Sequence, residues 1–348
     1  MIEKLRKARA WTKKGCGLFA ALAMLLVLPP LFCAVCLAQG KADKSAFQFP
    51  KAFPVPANNH VTSARVELGK MLFFDPRLSG SNWISCATCH NPAMGWSDGL
   101  PTAIGNGMTT LKRATPTIVN TAFNELQMWD GRFHSLEEQA VGPMQAPGEM
   151  NSTMGDILSK LKSMPGYVQA FEQAYPGEGV SQDTVAKAVA SFERTIISQG
   201  APFDAWVHGK QNAINSSAQR GFDLFTGKAN CVACHSGPNF TDEGFHNIGL
   251  NGDDVGRFAK LPIKISKGAF KTPTLRDIAL TAPYMHNGEY RTLEEVIDHY
   301  DRGGDNKENL DPSIQPLGLT RQEKRDLLQF LKTLSGKQVA VTLPRLPQ

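Results

Sequence analysis

Two pentapeptides in this sequence combine a pair of cysteines with a histidine at a spacing that binds haem. They are Cys86-Ala87-Thr88-Cys89-His90 and Cys231-Val232-Ala233-Cys234-His235. In such a C-x-x-C-H motif the two thiols add to the vinyl groups of a haem, and the histidine that follows becomes an axial ligand of the iron. The sequence therefore predicts two covalently bound c-type haems, with four attachment cysteines and two histidine ligands.

The same cysteine pairs have alternative readings. A zinc ribbon would use both pairs but leave both histidines without a role, and a disulfide or redox dithiol requires no histidine after the second cysteine. The remaining cysteines, Cys16, Cys33 and Cys36, all lie near the N-terminus. Haem attachment uses every cysteine and both histidines of the two motifs, which favours it.

Residues 1–38 have the form of an export leader: a basic start, an apolar run and a small residue, Ala38. Six of the basic residues and one acid fall here, so the leader carries the whole formal charge of +5. The neutral remainder excludes a basic nucleic-acid-binding face. Cleavage as a signal peptide is favoured because Pro29-Pro30 breaks the apolar run. An uncleaved membrane anchor is the alternative, and both place the protein in the periplasm.

Hydrophobic spacing predicts helices and few strands. Stripes of apolar residues mark helices around 157–161, 185–196 and 327–334, the last ending at Gly336, and Thr292 and Thr320 begin sequences that fit capping boxes. The stretch 91–150 is rich in glycine and proline and reads as loops. We predict a mainly α fold of two cytochrome c-like domains with long loops, at 39–200 and 201–348.

Beyond the two motifs, several segments resemble the bacterial di-haem cytochrome c peroxidase and MauG superfamily. Between residues 50 and 336 these are CATCHNPAMGWSDG, TPTIVNTAFN, MWDGR, LEEQAVGPMQAPGEM, CVACH, FHNIGL and TPTLRDIALTAPYMHNGEYRTLEEV. The resemblance implies an oxidoreductase whose first haem reacts with hydrogen peroxide and whose second haem transfers electrons.

Three residues match positions of that family's reaction site. Glu149 matches a distal glutamate that helps to cleave the O–O bond, a task that suits a buried carboxyl; the residues alone would make it a solvated loop residue. Gln139 matches a nearby polar residue whose amide could orient peroxide or water. Trp129 matches the tryptophan between the haems, where an indole relays electrons and also packs in the core.

Two departures from the peroxidases bear on the irons. Asn106 stands where they carry a histidine that caps the first iron, so we expect an open, high-spin first haem. Asn106 itself either binds a distal water or serves the glycine-rich turn. Tyr300 stands where they carry a methionine ligand of the second iron, as in MauG proteins, and a phenolate favours ferric and higher oxidation states.

Tyr300 has competing interpretations. It could be a core aromatic of its helix, and Met285 and His299 are rival ligands of the second iron. Met285 lies in a stretch that the family uses structurally. His299 would point about 100° away from Tyr300 around the helix. The resemblance therefore favours Tyr300.

An open first haem and a tyrosine-ligated second haem resemble the MauG branch. There, peroxide drives both haems to a high-valent state that oxidises tryptophans of a partner, such as the precursor of methylamine dehydrogenase during maturation of its quinone cofactor. Unlike MauG, this chain has no tryptophan just before its second motif, and Trp206 is the nearest one upstream. The partner's identity therefore stays open.

Two other functions compete with this one. A cytochrome c peroxidase would reduce hydrogen peroxide to water with electrons from a small periplasmic cytochrome c or cupredoxin. A pure electron carrier is a third interpretation, against which Glu149 and Gln139 count.

The resemblance also implies a calcium ion between the haems. The backbone carbonyls of Thr281 and Pro283 match two of its ligands, but Ala114 replaces the asparagine that supplies a side-chain oxygen. We expect a cage without that oxygen to bind calcium weakly.

Overall fold

The computed structural model describes residues 43–198, 200–337 and 340–348. Nearly all regular structure in these ranges is helical, which confirms the mainly α prediction. The helices are α1 Ser63–Phe74, α2 Cys86–Cys89, α3 Leu136–Gln145, α4 Met154–Ser163, α5 Pro165–Ala174, α6 Gln182–Glu193, α7 Pro202–Val207, α8 Ser216–Thr226, α9 Leu293–Arg302 and α10 Arg321–Lys332. Two short strands, β1 Phe245–His246 and β2 Phe270–Lys271, form one antiparallel pair.

Hydroxyl side chains begin most of the longer helices by accepting a backbone N–H from the first turn. The predicted capping boxes at Thr292 and Thr320 are both present, with Glu295 and Glu323 bonding back to the cap amide. The last helix ends at Lys332 and not at Gly336 as predicted, because the amides of Thr333 and Leu334 bond to carbonyls three residues back and not four.

Two hydrophobic clusters form the core, and in each of them a glycine lies where two helices cross. In the first cluster, α1 crosses α6 where a Cβ on Gly69 would lie 1.9 Å from the Ala188 carbonyl oxygen. In the second, α8 crosses α10 where a Cβ on Gly221 would lie 2.0 Å from the Asp326 carbonyl oxygen. Only glycine allows two helix backbones to approach this closely.

The segment near the start of the described chain packs in the second cluster, and the segment near its end packs on the first. Phe47 is buried in the second cluster, with its ring 5.5 Å from that of Phe222 and 5.0 Å from that of Phe240. At the other end, Val341 packs on the first cluster, and Arg77 donates to the Pro347 carbonyl at 2.8 Å. Each half is thus completed by residues from the opposite end of the sequence.

Within the described ranges, no helix has both the length and the apolar character needed to cross a bilayer. The predicted leader, 1–38, falls outside those ranges.

Candidate haem-binding site and peroxide pocket

One cavity of about 790 Å³ is lined by both C-x-x-C-H motifs. The four cysteines of the motifs, Cys86, Cys89, Cys231 and Cys234, are all free thiols. Burial raises the pKa of Cys86, Cys89 and Cys231. A reactive dithiol depends on a lowered thiol pKa, so the raised pKa values of these three thiols count against a redox role.

Among the described residues, one group could hold a metal ion through its side chains: Cys234, Asp242 and His246. This group contains one motif cysteine, Cys234. It is therefore not a zinc ribbon, in which the cysteines of both motifs would bind one zinc ion.

The two motif histidines are oriented as iron ligands by backbone carbonyls. Nδ1 of His90 lies 3.2 Å from the Trp96 oxygen, and Nδ1 of His235 lies 2.8 Å from the Phe240 oxygen. Because a carbonyl only accepts, each Nδ1 carries the proton and each Nε2 keeps its lone pair for iron. Burial lowers the pKa of both rings, which keeps them neutral. The residues present therefore fit two c-type haems.

Glu149 and Gln139 line the same cavity from adjacent parts of the chain. Gln139 lies on α3, and Glu149 lies in the turn that follows this helix. Burial raises the pKa of Glu149, and the positive charge of Arg132 partly opposes that rise. A carboxyl whose pKa is raised by burial, beside the first haem motif, is suited to accept and return a proton.

Asn106 is not part of the cavity wall, but its backbone supports the turn that carries Glu149. Its N–H donates to the carbonyls of Gly148 at 3.1 Å and Glu149 at 2.9 Å. A Cβ on the preceding Gly105 would lie 1.9 Å from the Gly148 oxygen. Glycine is therefore required at position 105 for the close approach of these two loops. The Gly105-Asn106 segment supports the turn that carries Glu149.

Trp129 lines the cavity with its indole fixed at the nitrogen. Nε1 donates to the Ala114 carbonyl at 2.9 Å, and the ring lies 6.5 Å from that of His286 in an edge contact. The backbone oxygen of Trp129 accepts from the Lys271 amide of β2 at 2.8 Å.

Of the three candidates for the second iron's other ligand, Tyr300 and Met285 line the cavity and His299 does not. His299 is fully buried elsewhere, with Nε2 2.9 Å from the Ile248 carbonyl oxygen and Nδ1 3.0 Å from the Tyr290 hydroxyl. Burial raises the pKa of Tyr300. A phenolate at this position therefore requires a nearby cation such as ferric iron.

Thr281 and Pro283, the residues considered for calcium, also line the cavity. Ala114 offers no side-chain oxygen; its amide donates to the His286 oxygen at 2.7 Å, and its carbonyl accepts from Trp129 at 2.9 Å.

Two features of the site lay beyond the sequence analysis. Arg113 bridges the halves, with Asp254 accepting from it at 2.7 and 2.8 Å and Asp130 at 2.9 Å. Glu193 lines the cavity from α6, and its buried Oε2 has no hydrogen-bond partner among the residues that the structure describes. The spacing did contain a signal for Glu193, because it follows Val189 by four residues and so shares the apolar face of α6.

The tryptophans outside the cavity differ in exposure. Trp206 is buried, with 8% of its surface exposed, under the Lys44 ammonium group. Trp83, three residues before Cys86, is 85% exposed.

Comparison with known proteins matches both halves of the chain. A di-haem cytochrome c peroxidase family profile matches residues 63–212, and a cytochrome c profile matches residues 218–335. Methylamine utilization protein MauG of Methylorubrum extorquens is 48% identical, with 88% of each chain covered. Cytochrome c551 peroxidase of Nitrosomonas europaea is 37% identical, covering 84% of this chain and 86% of the relative.

A solved MauG-like protein associated with microbial copper homeostasis has the same fold. It superposes with a TM-score of 0.77 at 30% identity, over 90% of this chain and 96% of the other.

Proposed function

Because the chain belongs to the di-haem cytochrome c peroxidase and MauG family, we propose that it uses hydrogen peroxide to oxidise tryptophan side chains of a partner protein. Family membership makes it a peroxidase-type oxidoreductase with two cytochrome c-like domains. We propose the precursor of methylamine dehydrogenase as this partner, because the 48% identical relative is named a methylamine utilization protein.

The observation that carries the proposal is the position of Tyr300. It lines the cavity beside Cys231, Cys234 and His235, whereas His299 is bonded elsewhere. A phenolate ligand stabilises oxidised iron more than a thioether does, which suits an enzyme that stores oxidising equivalents before it meets its partner. Asn106 adds support, because asparagine leaves the first iron open.

In this proposal each cavity residue has a defined task. The motif cysteines and histidines would hold two haems, which supply redox-active iron between peroxide and partner. Glu149 takes a proton from one oxygen of hydrogen peroxide and delivers it to the other, and Gln139 orients the molecule. Trp129 relays electrons across the cavity. Each peroxide takes up two electrons and two protons and leaves as two waters, while the partner's tryptophans lose two electrons and release two protons.

We further propose that the reaction takes place in the periplasm, since residues 1–38 have the form of an export leader. Thr281 and Pro283 would supply carbonyls to a calcium ion, but a site without a side-chain oxygen at Ala114 would hold it weakly.

A second candidate function is peroxide removal. The 37% identity to a cytochrome c551 peroxidase favours it, and Glu149 and Gln139 would serve it equally well. A small periplasmic cytochrome c or cupredoxin would then donate the electrons one at a time.

A titration of the as-isolated ferric protein with stoichiometric peroxide, followed by optical and EPR spectroscopy, separates the two functions. The proposal expects one high-spin and one low-spin haem, a long-lived oxidised state without prior reduction, and decay of that state when precursor methylamine dehydrogenase is added. Two low-spin haems, with activity only after reduction by one electron, would establish the peroxidase instead.

A further inference from the structure

An exposed loop precedes β2 and carries aliphatic side chains into solvent. We call residues 259–267 the lysine–isoleucine loop. Its Leu261, Ile263 and Ile265 are 44%, 48% and 73% exposed. Single exposed aliphatic residues are ordinary on protein surfaces, but three within five residues form a patch of the kind found at interaction sites.

The backbone of this loop is held in place by side chains beneath it. The buried Ser266 hydroxyl donates to the Ile263 carbonyl at 2.7 Å. Asn309 donates its amide hydrogens to the carbonyls of Lys264 and Lys267, both at 2.9 Å. The aliphatic side chains are therefore presented by an ordered backbone. A surface that is already ordered loses little conformational entropy when a partner binds.

The positive charge of the loop determines which kind of partner surface would be complementary to it. Lys260 and Lys264 are exposed and form no ion pair within the part of the chain that the structure describes, whereas Lys267 pairs with Glu308 at 3.0 Å. Two lysines without an ion-pair partner among the described residues thus alternate with the aliphatic residues. The complementary surface has an apolar centre and acidic groups around it.

The loop leads directly into the segment between Trp129 and the second haem motif. The Lys271 amide of β2 donates to the Trp129 carbonyl at 2.8 Å. On its other side β2 pairs with β1, and the His246 ring of β1 lies within 4.8 Å of the Cys234 sulfur. A protein seated on the loop would therefore lie a few residues along the chain from the strand that contacts both Trp129 and the second haem motif.

From these contacts we infer that the lysine–isoleucine loop is the docking surface for an acidic face of the redox partner. The inference rests on the proposed function, because a partner protein must exchange electrons with the second haem. A redox partner fits better than a lipid surface or a second copy of the chain, since the loop continues into the electron-transfer region.

The test compares charge reversal in the loop with charge reversal elsewhere. The variant Lys260→Glu/Lys264→Glu is matched by Lys51→Glu/Lys162→Glu, which alters two exposed lysines of the first half. The peroxide-oxidised holoenzyme is mixed with increasing concentrations of precursor methylamine dehydrogenase or of a reduced acidic c-type cytochrome. Neutral hydroquinone serves as the small reductant.

We expect the loop variant to raise the apparent Kd for the protein probe about tenfold and to flatten its salt dependence. Its reactions with peroxide and hydroquinone should stay unchanged, and the control variant should resemble the wild type. Ile263→Ser/Ile265→Ser should weaken docking while preserving the salt dependence, against Val168→Ser/Leu343→Ser as its control.

The two probes keep the inference separate from the proposed function. If the wild type oxidises only the cytochrome, the proposed substrate is wrong, and a higher Kd for the cytochrome in the loop variant still supports the docking surface. An unchanged Kd for both probes overturns the inference. Loss of binding to anionic vesicles, or of self-association, without a change in either Kd would also overturn it.

Discussion

Trp129 donates its indole N–H to the carbonyl of Ala114 at 2.9 Å. This hydrogen bond fixes the plane of the indole through the backbone. If Ala114 replaces a calcium-binding asparagine, as the resemblance implies, its side chain supplies no oxygen to that ion. The orientation of the Trp129 indole is thus fixed by a hydrogen bond within the chain.

Calcium removal should consequently have little effect. We expect dialysis against EGTA to leave the EPR spectrum unchanged and to alter the rate of the peroxide reaction by less than about twofold, because carbonyls and water alone bind calcium weakly. A parallel sample dialysed with EGTA and then given excess calcium is the control. A change of spin state on chelation, reversed by calcium, would show that a tight site exists.

Replacement of Tyr300 should change the second haem. Tyr300→Phe removes the phenolate, so we expect the low-spin ferric signal to be lost and the lifetime of the peroxide-oxidised state to fall at least about tenfold. Tyr300→Met should keep a low-spin haem with a higher reduction potential. Tyr284→Phe, which alters a neighbouring buried tyrosine of the cavity wall, is the control. An unchanged low-spin spectrum in Tyr300→Phe would assign the ligand to another residue, with Met285 next in line.

Replacement of Glu149 should slow the reaction with peroxide. Glu149→Gln keeps the shape of the side chain but cannot move a proton, so we expect the rate constant to fall by about 10²- to 10⁴-fold. Burial raises the pKa of Glu149 above its usual value of 4.5. The wild-type rate should therefore fall as the pH drops through that raised pKa, and the variant should lose this limb.

Stopped-flow spectroscopy at a series of pH values measures both effects. Glu125→Gln, at an exposed position of the same half, is the matched control. A rate in Glu149→Gln within a few-fold of the wild type would remove Glu149 from the proton transfer.

Glu193 should make stability depend on pH. Burial raises its pKa to about 8 from 4.5. The folded protein therefore keeps this proton over a range where the unfolded chain has released it, and stability falls as the pH rises from 4.5 to about 8. Above the upper value the loss is complete.

Glu193→Gln removes the ionisable group while keeping the side chain's size. At about pH 9 we expect the free energy of unfolding of the variant to exceed that of the wild type by about 1–3 kcal/mol, so that it unfolds at a higher denaturant concentration. Near pH 5 the two proteins should differ little. Denaturation of the holoprotein followed by circular dichroism measures this. Equal gains at both pH values would mean that packing, and not ionisation, explains the change.

What could be predicted from the sequence was local. The two haem motifs depend on five consecutive residues, and the capping boxes at Thr292 and Thr320 depend on four, so spacing alone was sufficient. The apolar stripe of α6 was equally readable, because one face of a helix repeats every three or four residues.

What could not be predicted depends on contacts between distant segments. The ion pair of Arg113 with Asp254 joins two loops that have no periodicity. The support that Asn106 gives to Glu149 comes from its backbone N–H, which any residue except proline could supply, so its side chain carried no signal. Sequence resemblance pointed to Tyr300 by position, but only the fold shows that its neighbour His299 is engaged elsewhere.

The packing of each chain end on the opposite half limits how this protein can be divided. A fragment cut near residue 200 would leave the first half without Val341 and the Pro347 carbonyl, and the second half without the ring of Phe47. The second fragment would then contain a hole between Phe222 and Phe240, at a cost typical of removing a buried aromatic ring, about 3–5 kcal/mol. We therefore expect the two haem motifs to belong to one folding unit, and neither half to fold as a single-haem protein on its own.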